Sequence, residues 1–138
     1  MPAQLLKCID FATIAAGIGP NPRIIQGVKF TVFDHAGLPL ANSRVGNAPP
    51  AGNGLNMGHR LRIEFGRNRV QAVCMQMIHF AQPPAVRFIS TAGSVVGNVA
   101  LAPTQKVVQD VVGTSTSIAQ IIVDSRANEA FLLALCFG

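Results

Sequence analysis

The feature that most constrains this chain is its punctuation. Short apolar segments are separated by clusters of Gly, Pro, Asn and Ser roughly every ten residues, the spacing of an all-β sandwich, and helical periodicity is scarce. The cleanest segment is Arg60–Phe65, where Leu61, Ile63 and Phe65 share one face and Arg60, Arg62 and Glu64 the other. Gly66-Arg67-Asn68 reads as a tight turn, so Arg69–Phe80 is expected to return as the second arm of a hairpin. Leu5–Phe11, Ile24–Asp34, Leu40–Val45, Val86–Ser90, Val95–Leu101, Lys106–Val112, Ile118–Asp124 and Phe131–Phe137 read as the other strands. Ala16–Pro22 and Gly46–Gly58, rich in Gly, Pro and Asn, read as loops. The expected fold is an all-β, antiparallel two-sheet β-sandwich of jelly-roll or Greek-key topology with about 8–9 strands. The 138 residues are expected to form one domain, 1–138.

Two segments do not alternate. In Arg69–Phe80, Val73, Met75 and Met77 oppose Ala72, Cys74, Ile78 and Phe80, and Phe131–Phe137 is also apolar on both faces. A two-sheet sandwich has one inner face per sheet, so the other face needs a cover: a long loop of the same chain, or another subunit. Only 12% of residues are charged against 49% apolar, where a soluble domain carries about 25% charged. That shortage points to the subunit, with Val73, Met75, Met77, Phe131, Leu133 and Leu135 as interface residues of a homo-oligomer or larger assembly.

The net charge of +5 comes without any run of consecutive Lys or Arg, so nucleic acid is not indicated as a partner. No stretch reaches the ~18 apolar residues of a membrane span. No signal peptide is visible in this chain, and an extracellular or particle-surface location is the expectation. Cys8, Cys74 and Cys136 have no C-x-x-C spacing. They are either buried free thiols or include a Cys8–Cys136 disulfide, since the first and last strands of a sandwich often lie side by side; Cys74 would then stay reduced.

The opening Cys8-Ile9-Asp10-Phe11, the later Gly27-Val28-Lys29-Phe30-Thr31 and the closing Leu132-Leu133-Ala134-Leu135-Cys136-Phe137 resemble the ends of bacterial lectin-like jelly-roll modules. The resemblance covers only these segments. It implies an extracellular sandwich and a possible glycan partner, in some members with a structural calcium. Such modules commonly place an acid directly after the Phe, where this chain has Ala12, which puts the calcium in doubt.

Few residues select a chemistry. Glycan-binding sandwiches usually stack sugars on Trp and Tyr, and this chain has neither. His35, His59 and His79 are scattered, with no H-x-x-x-H or E-x-x-H pair, so no metal site and no cofactor is expected. His35 reads as a solvated turn residue and His79 as a partly buried strand histidine. No G-x-S-x-G elbow is present, and nothing selects a carboxylate pair among Asp10, Asp34 and Asp124. Gly17-Ile18-Gly19-Pro20 lacks the third glycine of a phosphate loop. Arg60, Arg62, Arg67 and Arg69 flank the expected hairpin and form a candidate anion patch. The leading functional expectation is a non-enzymatic, self-assembling structural subunit. The alternative is a lectin-like carbohydrate- or ligand-binding module, its site formed by the loops Ala16–Arg23 and Gly46–Met57 at one rim.

Overall fold

Apolar segments too short for helices must satisfy their backbone by pairing. Residues 7–125 and 129–138 are described here, in a computed structural model. They form β1 (Lys7–Asp10), a 3-10 turn (Phe11–Thr13), β2 (Gly17–Pro20), β3 (Arg23–Ile25), β4 (Val28–Phe33), β5 (Asn42–Asn47), β6 (Asn53–Asn56), β7 (Arg60–Glu64), β8 (Ala72–His79), β9 (Ala85–Ile89), β10 (Val95–Ala100), β11 (Gln109–Thr114), β12 (Gln120–Asp124) and β13 (Ala130–Phe137). Positions 5 and 6 of the expected first strand lie outside the described residues. The fold is an all-β sandwich of two antiparallel sheets.

Eight strands make a jelly-roll frame: β1-β13-β8-β11 in one sheet and β7-β12-β9-β10 in the other. The remaining five come from residues 17–56, inserted between β1 and β7. β3 and β4 extend one sheet beside β7, while β6, β5 and β2 extend the other beside β13. This insertion is why the expected 8–9 strands undercount the structure. Ile24–Asp34 is not one strand but the β3–β4 hairpin, turned at Gln26 and Gly27, both at positive φ, as a two-residue hairpin turn requires. Gly17–Pro20, expected as loop, is a sheet-edge strand, where a proline at the last position is tolerated.

The expected hairpin of Arg60–Phe65 with Arg69–Phe80 does not form, because β7 and β8 belong to different sheets. β7 has one polar face and sits where that face meets water. β8 is apolar on both faces and needs a sheet whose outside is covered. The turn between them crosses the end of the sandwich, burying Phe65 and Val70.

Of the residues expected to face another subunit, Val73, Met75, Met77, Leu133 and Leu135 are instead buried within the chain, and Phe131 is half-buried. Val73, Met75, Met77 and Leu135 belong to the main core between the sheets. A bulge between Leu132 and Ala134 switches the alternation of β13, so that Leu132, Leu135 and Phe137 face inward and Leu133 is sent outward. There Leu133 and Ile78 pack under Ala48, with Ala51, Phe80 and Phe131 around them, in a second small core. The lid is the loop Ala48–Gly52, closed by Ala48 N–H on the Gly52 carbonyl (2.6 Å). Gly54 permits this closeness: a Cβ there would stand 3.0 Å from both Leu133 and Phe131. The cover is therefore the chain's own loop. The large apolar side chains left exposed include Val95, Val96, Val107, Val108 and Val112, on or beside the edge strands β10 and β11.

Met75→Ala is accordingly expected to cost about 2–5 kcal/mol of unfolding free energy, the range for truncating a core side chain. Chemical denaturation at several protein concentrations checks this: the midpoint should not move with concentration, whereas a concentration-dependent midpoint would restore the intersubunit reading.

Candidate ligand cleft at the sandwich rim

The ends of β4 and β12 and the starts of β7 and β9 meet at one rim of the six-stranded sheet. A shallow cleft of about 710 Å³ opens there, lined by Asp34, His35, Gly37, His59, Arg60 and Asp124. Each side chain has a local reason for its place. After β4 the chain turns at Asp34, whose Oδ1 accepts from the N–H groups of Ala36 (2.8 Å) and Leu38 (3.0 Å), leaving His35 exposed at the tip. His59 is set by its neighbours: its N–H donates to the Phe33 carbonyl (3.0 Å) and its carbonyl accepts from Ser125 N–H (3.1 Å). Gly58 before it has φ +59°, and a Cβ there would fall 2.8 Å from the Phe33 carbonyl oxygen, so only glycine lets the strand pass so close. The His35 and His59 rings come to 5.8 Å, inclined at 64°.

The polar side continues across the sheet. Cross-strand register places Arg60 opposite Asp124, and Arg60 Nε donates to Asp124 Oδ1 (2.7 Å) while Arg87 Nη2 donates to Oδ2 (3.4 Å). Arg62 donates to Glu64 Oε1 (3.0 Å) and lies over the Phe33 ring at 5.2 Å. The Asp34 carboxyl is held below its ordinary range, chiefly by the Leu38 N–H and then by the Ala36 N–H, with help from the two imidazoles and against a partial loss of solvent. The cleft thus presents an ionised carboxylate, two imidazoles and an arginine whose outward nitrogens are open to water.

The candidate anion patch does not assemble. Arg60 and Arg62 lie on β7 and are matched to Asp124 and Glu64, whereas Arg67 and Arg69 project, exposed, from the turn beyond the other end of that strand. The segments Ala16–Arg23 and Gly46–Met57 do not line this cleft, although Ile18 and Asn56 from them meet at a second, smaller cleft of about 380 Å³ beside Leu40 and Arg44. Asn21 is spent bridging Val32 and Leu40, Arg23 bonds Ser43, and Ala48–Gly52 is the lid over Leu133. Asp10 caps the 3-10 turn through Ala12 N–H. No group of three or more potential metal ligands occurs among the described residues. Cys8 and Cys136 form a disulfide at the opposite rim, and Cys74 is free. His79 is fully buried, its ring nitrogens facing the carbonyls of Ala81 and Ala102.

The His35–His59 pairing carries no local signal, since 24 residues separate the two and only the return of β7 beside β4 joins them. The readable clue was narrower: a His-Arg pair opening a strand with one wet face.

No family model and no curated protein matches the sequence at a significant level. Among solved structures, the chain is similar to a histidine mutant of the lectin-binding domain of lectinolysin complexed with Lewis b, at 10% identity and TM-score 0.39, over 89% of this chain and 90% of that one. It is also similar to the carbohydrate-binding module CBM36 in complex with calcium and xylotriose, at 12% identity and TM-score 0.36, over 96% and 100%. A third is the enzymatically active domain of bacteriophage CBA120 tailspike protein 4, at 10% identity and TM-score 0.30, over 88% of this chain and 18% of that one. At such low overlap these likenesses say nothing about what the cleft holds.

The Asp34 turn yields a pH signature. A carboxyl with a lowered folded-state pKa adds stability that is fully present above its unfolded value and is lost as the pH falls through the folded one. The stability gap between the parent and Asp34→Asn should therefore be constant at pH values well above 3.8, the ordinary value, and close as the pH drops below it. Urea titrations across that range test this; a gap indifferent to pH would show that the carboxylate charge does not hold the turn.

Proposed function

We propose that this chain is a non-catalytic binding module and that the rim cleft takes a saccharide through its hydroxyl groups. The observation that carries the reading is the gathering of His35, His59, Arg60 and Asp124 in one concavity by three separate strand ends, those of β4, β7 and β12. Stability does not call for it. Exposed ion pairs are worth about 0–1 kcal/mol each, yet Arg60 and Arg87 converge on Asp124, one of only six acids in the chain.

The donor set suits hydroxyls. Guanidinium nitrogens donate, carboxylate oxygens accept, and neutral imidazole does both, so neighbouring hydroxyls of one sugar ring can be held in complementary pairs. The two imidazole rings supply flat faces where this chain has no Trp or Tyr. A disulfide linking the first and last strands suits an oxidising compartment, where such modules meet glycans.

Glycan-array screening followed by calorimetry on the best saccharide tests the proposal. Arg60→Ala should weaken binding about tenfold or more, the effect of losing a hydrogen bond to a charged group. Arg67→Ala, at the far rim, should leave it unchanged. An array without any bound glycan, or equal losses from the two variants, would overturn the assignment.

A further inference from the structure

Register brings all three cysteines into one row. Cys8 on β1 lies opposite Cys136 on β13, and Cys136 lies opposite Cys74 on β8. Residues directly opposite in adjacent strands project from the same face, so the three sulfurs share the outer face of the seven-stranded sheet, with Cys136 in the middle. Ala72 and Gly138 exchange both backbone hydrogen bonds, at 3.0 and 3.1 Å. Cys74 and Cys136, two residues further along each strand, repeat that hydrogen-bonded pairing, for which the Cα separation is about 5.5 Å. That lies at the commonest Cα separation of a disulfide. Toward β1 the same residue makes the closer, non-hydrogen-bonded pairing, with Cα atoms 4.1 Å apart, and there the disulfide is found.

We infer that Cys8, Cys136 and Cys74 form a thiol–disulfide exchange site in which Cys136 can be bridged to either neighbour. In the step, the Cys74 thiolate attacks Cys136 Sγ from the side away from Cys8. The Cys74–Cys136 bond forms, the Cys136–Cys8 bond breaks, and its electron pair leaves on Cys8 Sγ, which takes up the proton that Cys74 lost. One disulfide replaces another, with no oxidant or reductant consumed. The product frees Cys8, the exposed member of the row, on a four-residue strand whose only strand partner among the described residues is β13.

Local charge holds the site in its resting form. Burial pushes the Cys74 thiol up, and the Asp110 carboxylate on β11 adds to it. The other charged group on this face of the adjoining strands is Asp10 on β1, also an acid. The attacking thiolate is therefore scarce near neutrality, and exchange should accelerate roughly tenfold per pH unit as the solution is made alkaline.

Alkylation and peptide mapping of the native protein under non-reducing conditions test the site. Near neutrality the label should fall on Cys74. After incubation at about pH 9 it should appear on Cys8 together with a Cys74–Cys136 linked peptide, at one free thiol per chain throughout. Cys8→Ser should form the Cys74–Cys136 bridge on oxidation and remain folded by circular dichroism, and Cys74→Ser should never label. Because β13 lies between β1 and β8, native exchange cannot join Cys8 to Cys74. A Cys8–Cys74 peptide would show scrambling through unfolded chains and overturn the inference. So would a folded Cys8→Ser protein that keeps two free thiols under oxidation, or a parent chain whose Cys8 stays unlabelled at alkaline pH.

Discussion

A strand with apolar side chains on both faces has few places to go, and β13 sets the plan of this molecule. Its backbone is paired on both sides, by β8 along one edge and by β6 and then β1 along the other, which removes it from any exposed sheet edge. Its inner face closes on the opposite sheet. Its outer face, through Leu133, is closed by the loop Ala48–Gly52. The insertion of residues 17–56 supplies both β6 and that lid, so a segment that looks like an accessory to the jelly roll is what lets its last strand be buried.

The burial of β13 divides the labour between the two ends of the sandwich. At the end where β13 finishes, the outer face is small and sulfur-bearing, with the cysteine row. At the other end, the six-stranded sheet keeps a wet outer face carrying all three ion pairs found among the described residues, and that face runs into the rim cleft. One sheet covers part of its outer surface with the chain's own loop, while the other keeps charge and hydrogen-bonding groups facing water.

Much of this was legible in the residues. The alternation of Leu61, Ile63 and Phe65 against Arg60, Arg62 and Glu64 fixed β7 nearly to its ends, and the punctuation gave the sandwich. What was not legible was what covers what. A doubly apolar strand reads the same whether its outer face meets a second copy or a loop of its own chain, and the lid residues Ala48 and Ala51 sit in a polar stretch with no apolar pattern to announce them. Strand neighbours were equally hidden: Gly66-Arg67-Asn68 suits a hairpin, and only the unequal needs of β7 and β8 for cover send them to different sheets. The cleft was invisible for the related reason that Asp34, His59 and Asp124 meet through cross-strand register, which no local spacing encodes.

Native-state amide hydrogen exchange of β13 tests the central claim most directly. If the chain buries this strand by itself, the amides of residues 131–137 should be among the slowest to exchange, slower than those of the edge strands β10 and β11, and should stay so on dilution. Exchange in β13 as fast as at those edges, or protection that fades as the protein is diluted, would show that its cover is borrowed from another molecule.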